Sequence, residues 1–177
     1  MNVLGICGSL QSASSNLLVL ATVAQRLPPS IAFTRSEVTG DLPGFNPDLD
    51  VDPPHRAVAL WRRQLAEADA VVICTPEYAH SYPGALKNAL DWVVGSGELV
   101  DKPVALITAG PSGGRRALDA LAPVLQVISS DLVGSLAIGA VRQKYDGDLL
   151  TDVKVLTQLD DLLARLVAAA TSRAADS

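Results

Sequence analysis

The turn after the first apolar run carries the densest set of small hydrogen-bonding side chains. Val3 to Cys7 reads as a strand, and Gly8-Ser9-Leu10-Gln11-Ser12-Ala13-Ser14-Ser15-Asn16 follows it. The chain then places Leu17, Leu20, Ala21, Ala24 and Leu27 at helical spacing, ended by Pro28 and Pro29. Backbone N–H groups at a helix start, with the positive end of the macrodipole, make an anion site. Ser and Asn add donors and also serve as caps, so a plain capped turn is the alternative reading. The turn is not G-x-x-x-x-G-K-[ST], so nothing in it holds a β,γ-phosphate and magnesium. Nor is it G-x-G-x-x-G, and no acidic residue closes the second strand at Arg35-Ser36 to hold a ribose. A nest of neutral donors suits one terminal phosphate monoester.

Two further loops stand out. Thr75-Pro76-Glu77-Tyr78-Ala79-His80-Ser81-Tyr82-Pro83-Gly84 is stiffened by proline at both ends. His80 reads equally as a titrating group near a ligand and as a solvent-facing loop residue. Tyr82 reads as a ligand contact or as packing on the helix that follows. Thr108-Ala109-Gly110-Pro111-Ser112-Gly113-Gly114-Arg115 has paired glycines that permit close backbone approach. Arg115 could meet a phosphate or lie solvated on a helix. Lys87 and Asp91, four apart, read as a surface pair. Cys7 and Cys74 read as small buried hydrophobes, since neither has the base and elbow of a nucleophile.

The elements that position these loops alternate. Strand-like runs fall at 3–7, 31–35, 70–75, 103–108 and 132–140. Helical stretches cover about 17–27, 55–67, 84–94, 115–127 and 152–170. Continuous apolar strands alternating with helices predict an α/β fold with a parallel sheet covered on both faces. Ligands in such sheets sit beyond the carboxyl ends of the strands, at the switch in strand order. Residues 37–54 form a Gly/Pro/Asp-rich loop long enough to suggest a covering role.

Composition bounds the function. The 177 residues carry 14 Lys and Arg against 19 Asp and Glu, a net charge of -5. That balance repels a phosphate backbone and argues against nucleic-acid binding. No apolar run approaches the roughly 18 residues of a membrane span. Met1 leads into Val3, Leu4 and Ile6 without a basic segment, so the expectation is a cytoplasmic protein with no signal peptide. Two Cys and two His build neither a disulfide scaffold nor a zinc site, and no metal is expected. One domain over 1–172 with a flexible tail at 173–177 is expected.

Three motifs together carry a resemblance. Gly8-Ser9-Leu10-x-x-x-Ser14-x-Asn16, Pro76-Glu77-Tyr78, and Tyr82-Pro83-Gly84-x-Leu86-Lys87-Asn88-Ala89-Leu90-Asp91-Trp92 resemble the NADPH-dependent FMN reductases. The likeness extends to Leu42-Pro43 and Asn46-Pro47-Asp48 and covers nearly the whole chain. It implies a flavodoxin-like three-layer sandwich with strand order 2-1-3-4-5. It also implies non-covalent FMN, NADPH or NADH as donor, and a small-molecule acceptor: a quinone, free flavin, azo compound or metal oxyanion. By resemblance FMN is bound by Ser9, Gln11, Ser14, Ser15, Asn16, Pro76, Glu77, Tyr78, Ala79, Ser112, Gly113 and Gly114. His80, Tyr82 and Arg115 fall on the substrate side, and a homodimer or homotetramer is implied. No catalytic side chain is expected, because the chemistry belongs to the flavin. Family members often have Arg where Gln11 stands and Asn or a similar polar residue where Ala79 stands. The rival readings are a flavodoxin-type electron carrier and an FMN-binding regulatory protein without NAD(P)H activity.

Overall fold

The computed structural model describes residues 1–128 and 130–175. Five parallel strands form the central sheet: β1 (Asn2–Cys7), β2 (Ala32–Ser36), β3 (Ala70–Thr75), β4 (Pro103–Ala109) and β5 (Asp131–Ile138). Their order is β2-β1-β3-β4-β5, the doubly wound order the sequence implies. Helices α1 (Ser15–Arg26) and α5 (Val153–Ala175) cover one face, and α2 (Arg56–Glu67), α3 (Gly84–Asp91) and α4 (Arg115–Val127) the other. A two-residue hairpin, β6 (Tyr145–Asp146) with β7 (Leu149–Leu150), precedes α5.

Period-two alternation splits each central strand between two cores. Val3 and Cys7, then Ala70, Val72 and Cys74, then Ala105 and Ile107 pack beneath α1 and α5. Leu4 and Ile6, then Val71 and Ile73, then Val104 and Leu106 face α2, α3 and α4. Both faces are buried, so these strands read as unbroken apolar runs. β2 lies at the sheet edge and is correspondingly more exposed.

Several expected boundaries move. β5 starts at Asp131 and stops at Ile138, because the chain turns at Ala140 with φ 47°. α3 ends at Asp91, three residues short of Val94. Pro123 lies inside α4 without ending it. α5 continues to Ala175, so residues 173–175, expected in the tail, are helical, while 176 and 177 lie outside the described residues.

The 37–54 loop contains two short 3₁₀ turns, Val38–Gly40 and Pro47–Leu49. It is fastened to α3 by the motif residues themselves. Asn88 Nδ2 and Trp92 Nε1 donate to the Pro43 carbonyl at 2.9 and 2.8 Å. The Phe45 N–H donates to Asn88 Oδ1 at 2.7 Å, and the Phe45 ring meets Trp92 edge-on at 5.1 Å. Arg62 donates to the Trp92 carbonyl and to Asp50, which holds the Asp50 carboxyl below the usual carboxylate range. Asn88 and Trp92 therefore anchor the covering loop.

Candidate functional site

The carboxyl ends of β1, β3 and β4 converge at the switch in strand order. A cleft of about 210 Å³ opens there, between the loops after those three strands. From the first loop it takes Gln11, Ser14, Ser15 and Asn16. From the second it takes Pro76, Glu77 and Tyr78, and from the third Ala109 to Ser112 and Gly114. Arg142 closes it from the far side.

The first loop is built as a donor nest. Ser14 caps α1: its Oγ accepts from the Asn16 N–H at 3.2 Å. Ser9 Oγ turns back to accept from the Gln11 N–H at 3.2 Å, and Ser9 is buried outside the cleft. The N–H groups of Ser12, Ala13 and Ser15 have no internal acceptor among the described residues. Such orphan donors at a helix N-terminus are what an anion satisfies.

Asn16 lies 2 % exposed and serves the loop from within. Its Nδ2 donates to Ser14 Oγ at 3.3 Å, and its Oδ1 accepts from the Cys74 thiol at 3.3 Å. Burial pushes the Cys74 thiol well up, so it keeps the proton it donates. Burial likewise raises Cys7, whose thiol donates to the Ser9 carbonyl. The two thiols sit side by side on β1 and β3 and support the loop from below.

Close approach fixes where the second loop starts. A Cβ on Gly8 would come within 2.7 Å of Thr75 Cβ, so only glycine lets the β1 turn sit against the end of β3. The second loop then makes a tight reversal in which Tyr78 and Ser81 exchange both backbone hydrogen bonds, at 2.8 and 2.9 Å. Its central residues, Ala79 and His80, have φ of 49° and 65°. That is the left-handed region, which Asn adopts more readily than Ala. The polar residue that the resemblance leads one to expect at position 79 would suit this backbone. Ala79 does not line the cleft.

Glu77 ties the second loop to the third. The N-cap position of α4 is Gly114, which has no side chain to cap with. Glu77 Oε2 accepts from the Arg116 N–H at 3.1 Å and supplies the missing cap. The same carboxylate approaches His80 Nδ1 at 3.4 Å, and the Arg116 guanidinium lies against the His80 ring. In the third loop, Thr108 Oγ1 donates to the Gly113 carbonyl at 2.6 Å, and Gly114 has φ 73°. Gly113 leans on Gly139, away from the cleft.

The remaining candidates are placed as follows. Tyr78 borders the cleft and is 51 % exposed, as a wall for a planar ligand would be. Tyr82 packs on the α3 side of the core, and burial raises its phenol while Lys87 opposes the rise. His80 is an exposed loop residue held by Arg116. Arg115 pairs with Asp119 at 3.1 Å on the outer side of α4. Lys87 pairs with Asp91.

Arg142 is the cleft-lining residue that sequence reasoning missed. It follows β5 in a 3₁₀ turn, Val141–Lys144, and its Nη2 donates to the Ala13 carbonyl at 3.0 Å. It brings a cation to the donor nest from the opposite side of the sheet end. Only strand order reveals this, since 126 residues separate it from Asn16. The fit to a flavin mononucleotide is chemical: orphan donors and a cation for a phosphate monoester, then Pro76, Tyr78 and backbone edges for a flat ring.

Fold and site define a doubly wound α/β protein of the flavodoxin-like kind. The sequence matches the NADPH-dependent FMN reductase family over residues 1–142. It is 38% identical over 117 residues to an NAD(P)H-dependent FMN reductase of Pseudomonas aeruginosa, covering 65% of this chain and 62% of that one. It is 32% identical to an NAD(P)H:quinone oxidoreductase of Solanum tuberosum, covering 96% of this chain and 93% of that one. The match to a quinone reductase of Pseudomonas putida spans 58% of that protein. The chain therefore spans less than two thirds of some of these relatives. Among solved structures it resembles FerB, a flavoenzyme NAD(P)H:(acceptor) oxidoreductase from Paracoccus denitrificans, at TM-score 0.82 and 28% identity over 97% of both chains. The chain belongs to the NADPH-dependent FMN reductase family.

Proposed function

We propose that the chain is an FMN-dependent NAD(P)H oxidoreductase that reduces small acceptors such as quinones, free flavins, azo compounds or metal oxyanions. The observation that carries this reading is the cleft at the switch in strand order, with an orphan-donor nest at one end and the Pro76–Tyr78 wall at the other. Ser14, Ser15 and the Ser12–Ser15 backbone would hold the phosphate, with Arg142 balancing its charge. Pro76, Tyr78 and the 109–112 backbone would flank the ring, with Glu77 bracing the two ring loops. Bound FMN supplies hydride acceptance from the nicotinamide and electron delivery to the acceptor. The protein's share is binding, orientation and exclusion of water. Backbone N–H groups of the 109–114 loop would stabilise negative charge gained near the ring.

A cytoplasmic homodimer or homotetramer completes the reading. The apolar groups left exposed beside α3, Phe45 against Trp92 and Val94 just past the helix, support an interface there. The flavodoxin-type carrier draws no support from the ring loops, which offer Tyr78 as their one cleft-lining aromatic among the described residues.

The test is direct. The purified protein should take up FMN with a flavin absorbance band and consume NADH or NADPH faster when a quinone is added. A protein that cannot be loaded with FMN would overturn the proposal.

A further inference from the structure

Cys74 stands directly under the first loop. It is the register partner of Cys7, it is wholly buried, and it belongs to the core beneath α1 and α5. It does not line the cleft. Its thiol donates to Asn16 Oδ1 at 3.3 Å. Burial pushes that thiol well above its ordinary range, so at neutral pH it stays a donor and is not a thiolate acceptor.

A thiol that gives its proton fixes which end of the Asn16 amide it meets. The carbonyl oxygen faces Cys74, so the NH₂ group faces Ser14. Asn16 Nδ2 donates to Ser14 Oγ at 3.3 Å, beside the Asn16 N–H at 3.2 Å. A serine hydroxyl accepts two hydrogen bonds and donates one. Both acceptor positions of Ser14 are therefore filled from within the protein, and its O–H is what remains. A reversed amide would set Nδ2 against the thiol and Oδ1 against Ser14, and Oδ1 would then take the Ser14 proton.

The Ser14 proton is left for a ligand. Ser14 is 5 % exposed and lines the cleft, and its hydroxyl donates no hydrogen bond to an oxygen or nitrogen among the described residues. The internal group it approaches is Cys7 Sγ, whose own proton goes to the Ser9 carbonyl, and a thiol sulfur is a weak acceptor. A buried hydroxyl proton without a strong acceptor, beside orphan N–H groups, calls for an oxyanion.

We propose that Cys74 is a positioning residue for phosphate: its thiol sets the hydrogen-bond chain from Cys74 through Asn16 to Ser14 in one direction, so that the Ser14 hydroxyl is presented as a donor to the phosphate of a flavin mononucleotide. The proposal rests on the FMN reading above and adds to it a residue that touches neither cofactor nor substrate.

Riboflavin, which lacks the phosphate, separates this role from general support of the core. Cys74→Ala removes the donor. It should weaken FMN binding by about threefold to tenfold and leave riboflavin binding as in the wild type, both read by quenching of flavin fluorescence. Cys74→Ser keeps a donor in place and should restore the preference for FMN. Ser14→Ala should weaken FMN binding by at least as much, and adding Cys74→Ala to it should cost nothing further. The S–H stretch of Cys74, read by infrared spectroscopy in Cys7→Ala protein, leaves Cys74 itself unchanged. It should shift when FMN or inorganic phosphate binds and stay in place with riboflavin. Unchanged FMN affinity or equal losses for FMN and riboflavin in Cys74→Ala, additive losses in the double variant, or an S–H band that no phosphate moves would overturn the proposal. A protein that binds neither flavin would instead overturn the oxidoreductase reading, and the S–H band under inorganic phosphate would still decide the role of Cys74.

Discussion

Arg142 and Gln11 exchange the roles that a reader of the sequence would give them. Gln11 stands in the first loop where the resemblance leads one to expect a cation, and Arg142 brings one from the loop after β5. Arg142→Met should therefore weaken FMN binding by about tenfold, in keeping with the ~1.5–3 kcal/mol of a charge-assisted hydrogen bond reduced by exposure. It should also flatten the salt dependence of that affinity, both read by quenching of flavin fluorescence. An unchanged dissociation constant would remove Arg142 from the site. Ala79 offers an independent check. Its left-handed backbone at φ 49° strains alanine, so Ala79→Gly should stabilise the protein by about 0.5–1 kcal/mol, a rise of a few degrees in Tm. Ser14, Ser15, Asn16 and the Pro76–Tyr78 segment were legible as candidates for one cleft because their types and order are local, whereas Ser9, equally legible by type, lies outside it. That Asn16 faces inward to Cys74 and Ser14 was not legible, because nothing in one strand announces the thiol on its neighbour.

The elements were readable from periodicity, and their ends were not. β5 was expected to run to Ala140, but no residue type signals the turn that ends it. The 37–54 loop was recognisable by length, while its fastening required Asn88 on α3 and Trp92 at its C-terminal cap to be placed beside it. Asn88→Ala removes the bonds to the Pro43 carbonyl and the Phe45 N–H. It should speed proteolysis within residues 42–50 while lowering Tm only slightly. At the start of α5, Asp152 accepts from the Val155 N–H at 3.0 Å and pairs with Lys144. Both interactions hold its carboxyl below the usual range, the Lys144 hydrogen bond first. Because the folded pKa is depressed, this stabilisation is present above the ordinary carboxylate pKa. It is lost as pH falls through the folded value. Asp152→Asn should lower Tm at neutral pH and lose less Tm than the wild type on acidification below about pH 4. Parallel acid limbs in the two proteins would contradict this.

For the whole molecule, strand order does the assembling. The order β2-β1-β3-β4-β5 brings three loops from distant parts of the chain to one edge and adds Arg142 from a fourth. On the proposed function no catalytic triad is needed, because holding a flavin between a donor and an acceptor leaves the chemistry to the flavin. The measurement that tests this most directly is an anaerobic pair of half-reactions on the FMN-loaded protein. Addition of NADH or NADPH should bleach the flavin absorbance, and one equivalent of quinone should restore it. A flavin that is bleached by dithionite but by neither nicotinamide would contradict the account and leave an electron carrier in its place.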